Sequence, residues 1–214
     1  MAFHKVKFET EYQRKHFEFF HALNHPHMGV SVNVDVGAWL DMTRERDLKV
    51  TASIVYLLGR AANQVPQLRQ RIRGDDVIEH DVVHPTFTVA TDRPDEFGFC
   101  HVDFDENLEI FVQQATEAMA ATRASPLLED EPGRDDYLFM SAIPWVSFTS
   151  VWHAMQYHPH DSNPRIIWGK FFESEGRTMM PLAVQAHHAL VDGYHAAQFY
   201  ERVDDMVTAA GSVA

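Results

Sequence analysis

One cysteine, Cys100, stands in 214 residues, so no disulfide can form within the chain and a disulfide-stapled scaffold is excluded. That usage fits a reducing cytoplasm. No run of 18 apolar residues occurs, and the opening MAFHKVKFETEYQRKHF lacks the apolar stretch of a secretory signal. A soluble, cytoplasmic protein with no membrane partner is therefore expected. Basic residues are scarce: 18 Lys and Arg stand against 31 Asp and Glu, a formal charge of −13. Phosphate neutralisation drives nucleic-acid affinity, so an acidic chain without a basic stripe is not expected to bind nucleic acid. A Gly-rich phosphate loop, internal repeats and low-complexity tracts are also missing.

What is present is material for a core. Apolar residues make up 45% of the chain and aromatics 12%, which excludes disorder over most of its length. The Pro-, Gly- and acid-rich stretch 122–136 reads as a loop, because the segments on either side look like parts of one core. A single domain over 1–214 is expected. Residues 10–23 carry Tyr12, His16, Phe19, Phe20 and Leu23 at helical spacing, whereas Val30, Val32, Val34 and Val36 alternate as in a half-buried strand. Residues 51–65 read as an apolar helix capped by Thr51, and 105–122 as an amphipathic helix opening on Asp105. Strands are expected near 69–73, 77–80, 84–91, 97–104, 137–142, 145–151, 165–173 and 178–187, with a last helix after Gly193. Strands and helices do not alternate regularly, which argues against a doubly wound parallel sheet. The pattern predicts an α+β, two-layer sandwich with a large mixed β-sheet flanked by helices.

The most informative segment is PLAVQAHHALVDGYH at 181–195. An apolar strand delivers His187 and His188 to its end, and a histidine there can project its ring into a cleft while the strand fixes its backbone. With an unperturbed pKa of about 6.5, such a ring can take a proton from a hydroxyl near neutral pH. Asp192 can brace the loop, and Gly193 is expected to supply backbone freedom before the helix. Other clusters are less specific. His21, His25, His27, His158 and His160 have no carboxylate or thiol partner at ligand spacing, so no metal site is assigned. The acidic run 128–132 reads as a solvated loop.

HHALVDGYH resembles the catalytic signature of the chloramphenicol acetyltransferases, shared more loosely by other coenzyme A-dependent acyltransferases. SAIPWVSFTS at 141–150 resembles the SANPWVSFTS stretch of that family, and RKHFEFF at 14–20 its N-terminal helix. Phe97 and GKFF at 169–172 follow in the same order. The resemblance implies acetyl transfer from acetyl-CoA, a co-substrate rather than a bound cofactor, to a hydroxyl of chloramphenicol or a similar small alcohol. It implies His188 as general base, Ser141 as the hydroxyl that stabilises the oxyanion, and Asp192 as a carboxylate that holds the loop. Trp145 and Phe171 match positions in or near the coenzyme channel, and without a phosphate loop coenzyme A would be held by a tunnel and scattered side chains such as Lys170 or Arg177. Phe19, Phe20, Asn24, Phe97, His153, Arg165 and Ile167 fall on the acceptor side. The resemblance also implies a homotrimer with each site at a subunit interface, so that helix 10–23 and residues 141–153 should lie close to His188 of an adjacent chain.

The departures matter as much as the matches. The family arginine that pairs with the Asp192 counterpart falls on Gln13, with Arg14 one place along. A family threonine is replaced by Ile167, a tyrosine by Phe20, a cysteine by Pro26, and apolar positions by Asn24, His153 and Arg165. An unpaired polar group set against an apolar acceptor costs about 1–3 kcal/mol, so the acceptor's identity is less constrained than the acetyl-transfer machinery. Rival readings follow: transfer to a different hydroxyl acceptor, a different acyl transfer as in the lipoyl-linked acyltransferase cores with a similar His motif, and a non-catalytic trimeric relative.

Overall fold

The computed structural model of the chain describes residues 2–157, 159 and 161–212. Among them run β1 (Phe3–Lys5), α1 (Glu11–His21), β2 (His27–Asp35), α2 (Gly37–Glu45), α3 (Val50–Asn63), a 3-10 turn (Pro66–Arg69), β3 (Gln70–Arg73), β4 (Asp76–His80), β5 (His84–Ala90), β6 (Phe97–His101) and α4 (Leu108–Ala124). Then follow β7 (Tyr137–Ile143), β8 (Arg165–Gly169), β9 (Phe172–Ser174), β10 (Arg177–His187) and α5 (Gly193–Gly211). Strands β1, β4 and β3 form a small antiparallel sheet. The large sheet has seven strands, ordered β2-β10-β8-β7-β5-β6, with β9 hairpinned onto β10. It is mixed, since β7 runs parallel to both β5 and β8 while the other pairs are antiparallel. The fold is α+β, as the sequence pattern predicts.

Strand alternation divides this sheet into two unlike faces. On one face Leu138, Met140, Ile166, Trp168, Leu182 and Val184 join the main core. That core is completed by α3, whose Ile54, Val55, Leu57 and Leu58 are fully buried, and by apolar sides of α2, α4 and α5. The valine alternation is part of it: Val30 and Val34 pack against the core and Val36 is buried within it. The opposite face presents Ser141, Arg165, Ile167, Ala183 and Gln185 from the central strands. No helix covers these residues; the irregular segment 144–157 crosses over them instead. Its Val146 carbonyl accepts from the Lys170 amide at 2.9 Å, and its His153 amide donates to Gln185 Oε1 at 2.8 Å. A backbone crossing this close needs glycine below it: a Cβ on Gly169 would stand 2.7 Å from the Val146 carbonyl oxygen.

Several expectations are corrected by local chemistry. Residues 145–151 form no strand, since the chain turns at Pro144–Trp145 and lies across the sheet rather than in it. The expected strand 165–173 is two strands, broken at Lys170–Phe171. Helix α3 is not capped by Thr51; it starts on Lys49 without a side-chain cap. Helix α4 is capped by Asn107, which accepts from the Ile110 amide, while Asp105 accepts from the Asn107 amide and only shapes the approach. In α1 the one buried side chain is Phe17, whereas Tyr12 and Phe19 of the aromatic set are exposed. Gly193 is the first residue of α5 and not among the glycines with positive φ, and a Cβ on it would meet nothing within 4 Å, so the turn does not need its freedom. His158 and His160 lie outside the described residues. Among the described residues no group of three His, Cys, Asp or Glu side chains could hold a metal ion, and no helix is long and apolar enough to cross a membrane.

Candidate active site

His188 follows directly on β10, in the turn that leads to α5. Its backbone amide donates to the Pro26 carbonyl at 2.7 Å, tying the turn to the segment between α1 and β2. Its Nδ1 lies 3.0 Å from the Val191 carbonyl. A carbonyl can only accept, so Nδ1 carries a proton, and in the neutral ring Nε2 then holds the lone pair. Phe20 lies against the ring at 3.8 Å between centroids, and His16 meets it edge-on at 6.0 Å. A single peptide link beyond Val191, Asp192 caps α5, accepting from the amides of Tyr194 at 2.9 Å and His195 at 3.0 Å. Burial opposes its charge, but those hydrogen bonds and the adjacent His195 hold the carboxyl below the usual carboxylate range.

Neither Gln13 nor Arg14 of α1 pairs with Asp192, although His16 of the same helix lies close enough to favour its charge. Gln13, at the expected arginine position, turns back to complete a capping box, its Oε1 accepting from the amides of Glu9 and Thr10. Arg14 lies over the Phe8 ring instead, 5.9 Å from its centroid. Asp192 is faced by His195, whose Nδ1 lies 2.9 Å from the carboxylate. Sequence reasoning missed His195 although it is the last residue of HHALVDGYH. Its place three residues after a capping Asp, the N3 position of a capping box, was the available signal. His16 was noted only as part of the α1 pattern.

A second group gathers on the sheet face beneath the 144–157 segment. Ser141 lies in β7 with its hydroxyl 3.0 Å from that of Thr88 on β5. Ile167, on β8, stands in register beside it and is only 1% exposed. Next to them is a cavity of about 210 Å³ lined by Thr86, Thr88, Phe99, Phe139, His153 and Arg165. Arg165 lies over the Phe139 ring and pairs with Asp161. Burial, with the charge of Arg165 added, pushes the His153 imidazole below its ordinary pKa, so it is neutral at pH 7. Trp145 is 76% exposed on the crossing segment, which rules out core packing for it, while Phe171 packs partly against the core. Phe19, Asn24 and Phe97 are exposed on the surface. Lys170 is exposed beside the crossing segment, and Arg177 pairs with Glu175 at the opposite end of β10 from His187.

The chain does not bring these two groups together. Ser141 is level with Ile167, and Ile167 with Ala183, four residues short of His187 on β10. Four strand residues along and two strand spacings across separate the Ser141 and His187 backbones by roughly 16 Å, with His188 one residue further. A histidine and a serine that far apart cannot touch one carbonyl group. Helix 10–23, expected beside an adjacent chain's His188, packs on the His188 of its own chain through Phe20.

The chain thus joins a mixed α+β sheet to a histidine just past the end of β10 and a serine hydroxyl on the face away from the main core. A family profile described as chloramphenicol acetyltransferase matches residues 1–204, so the chain belongs to the chloramphenicol acetyltransferase family. A chloramphenicol acetyltransferase of Bacillus pumilus is 29% identical over 194 residues, covering 90% of this chain and 88% of that one. Chloramphenicol acetyltransferase 3 of Escherichia coli is 26% identical over 207 residues, 96% of this chain and 97% of that one. Among solved structures, a chloramphenicol acetyltransferase superposes with a TM-score of 0.85 at 22% identity over 96% of this chain and all of that one. A dihydrolipoamide acetyltransferase of Azotobacter vinelandii shares the fold at a TM-score of 0.67 and 17% identity, over 94% of this chain and 91% of that one. The protein is an acyltransferase enzyme.

Proposed function

We propose that the protein transfers the acetyl group of acetyl-CoA to a hydroxyl of chloramphenicol or a similar small alcohol, by direct attack and with His188 as general base. The observation that supports this reading is the contact of His188 Nδ1 with the Val191 carbonyl, which in the neutral ring leaves the lone pair on Nε2. Nε2 takes the alcohol proton as the oxygen attacks the thioester carbonyl carbon. The carbonyl electrons move onto oxygen, where the Ser141 hydroxyl donates to the oxyanion; one such donor contributes on the order of 3 kcal/mol. Collapse restores the C=O bond and expels the CoA thiolate, which the imidazolium protonates. Asp192 holds the turn through its cap on α5. Trp145 and Phe171 line the coenzyme's approach, and Phe19, Phe20, Asn24, Phe97, His153, Arg165 and Ile167 border the acceptor. Because His188 and Ser141 stand far apart in one chain, the working form is a homotrimer whose sites join His188 of one subunit to Ser141 of the next. A cytoplasmic setting suits a chain whose one thiol is unpaired and buried.

A second reading, transfer to a more polar alcohol, is favoured by one feature: His153, Arg165 and Asp130 all border the cavity beside Ser141. A thiol-release assay with acetyl-CoA separates the two. Release that depends on chloramphenicol supports the first reading, and release only with other alcohols supports the second. His188→Ala should abolish turnover at unchanged thermal stability; turnover kept within tenfold would reject His188 as the base.

A further inference from the structure

Ser141 has one proton to give, and the structure shows what competes for it. On the β8 side stands Ile167, buried and with no polar side-chain atom. On the β5 side stands Thr88, its Oγ1 3.0 Å from Ser141 Oγ. Two hydroxyls in contact can hold their bond in either direction. If Ser141 donates to Thr88, its proton is spent within the sheet. If Thr88 donates to Ser141, the serine proton is free for an oxygen outside it. We propose that Thr88 is a positioning residue for the acetyl-transfer step: it donates to Ser141 Oγ and so aims the Ser141 proton at the developing oxyanion. This inference rests on the reading of Ser141 as the oxyanion donor and names the group through which Ser141 is set.

The geometry supports this direction once a negative oxygen is present. An oxyanion is a stronger acceptor than the Thr88 hydroxyl, so it draws the serine proton outward, and Thr88, itself a donor, turns inward to occupy the lone pair left on Ser141. Each bond in such a chain polarises the next and strengthens it. The effect is absent in the ground state, where the thioester carbonyl is a weak acceptor, so Thr88 acts on kcat rather than on binding. Burial of Ile167 keeps any competing acceptor side chain from the other flank of Ser141. Thr88 also borders the acceptor cavity, and a direct contact with the acceptor is the role from which the test must separate it.

The test is a double-mutant cycle with saturating acetyl-CoA. Thr88→Val removes the hydroxyl at nearly constant shape and should lower kcat about tenfold, the worth of one hydrogen bond, with the acceptor KM changed less than twofold. Thr88→Ser keeps the hydroxyl and should restore kcat. In a Ser141→Ala background Thr88→Val should cost nothing further, because there is no serine proton left to aim. The same tenfold loss in both backgrounds, or a loss confined to acceptor KM, overturns the role assigned to Thr88 while leaving Ser141 as the donor. Full kcat in Ser141→Ala itself overturns the oxyanion reading, and the inference falls with it.

Discussion

Four imidazoles, those of His27, His84, His153 and His195, are held below the ordinary histidine pKa, in each case first by burial. In the unfolded chain each titrates near 6.5, so between that value and the depressed native one the unfolded state binds more protons. Stability therefore rises with pH through this window: it is fully present above about pH 6.5 and is lost progressively as pH falls below it. Asp192 and Asp135, whose carboxyls are lowered, add a second loss at much more acid pH. The net charge of −13 acts in the opposite direction, because protonation relieves self-repulsion, but that long-range term is screened by salt. In about 0.5 M salt the urea midpoint should thus be lower at pH 5.5 than at pH 7.5, and an equal or higher midpoint would contradict the burial of these rings. Residues of this kind differ in how far a sequence reveals them. His188 is legible as a candidate because the signature that singles it out spans nine consecutive residues. The setting of Asp192 is not, since whether Arg14 would replace the family arginine stays open, and the side chain that faces the carboxylate is His195 in the first turn of α5. Thr88 gave no signal at all: its hydroxyl meets Ser141 across 53 residues of chain, and nothing local to either residue announces such a pair.

Elements were read well where burial alone shaped the pattern and poorly where a crossing or a cap decided it. The alternation at 30–36 and the apolar stretch at 51–65 became β2 and α3 because both pack into the core. Helix α2 escaped notice because its nine residues begin at Gly37, after Val36 at the N-cap, without a side-chain cap. The segment after Pro144 has the apolar and hydroxyl residues of a strand, yet its backbone is held on top of the sheet by bonds to Lys170 and Gln185 rather than by a ladder. Gly169 is the residue that makes room for this. In Gly169→Ala the new methyl would lie 2.7 Å from the Val146 carbonyl oxygen and 3.0 Å from the Phe148 ring, where a backbone atom cannot swing aside. The segment should lift, at a cost of about 1–3 kcal/mol of stability. Because it carries Trp145 at one end and His153 at the other, KM values for acetyl-CoA and acceptor should rise more than kcat falls. Steady-state kinetics beside a urea titration would check both, and an unchanged midpoint would show that the crossing is looser than drawn.

At the scale of the whole molecule, one chain exposes what a soluble monomer keeps scarce. Trp145, Val146, Trp152, Phe19 and Phe97 are all open to solvent, and large exposed apolar groups of this kind mark contact surfaces. The helix layer covers one face of the large sheet and only the irregular 144–157 segment crosses the other, while the backbones of Ser141 and His187 lie roughly 16 Å apart by strand spacing. Both facts fit the homotrimer proposed above, a closed ring in which each site would take its base from one chain and its oxyanion donor from a neighbour. That arrangement makes an unusual demand on inactive variants. His188→Ala keeps Ser141, and Ser141→Ala keeps His188, so each is inactive or weak alone in every subunit. When equal amounts are unfolded together and refolded as mixed oligomers, a site is whole if its histidine comes from the second variant and its serine from the first. Random assembly around a cyclic oligomer makes about one site in four whole, so thiol release should recover to roughly a quarter of the wild-type rate. Variants refolded separately and then mixed should stay at the level of their components. If co-refolding yields no recovery, base and oxyanion donor act within one chain, and the 16 Å between them would have to close by a rearrangement of β10 against β7.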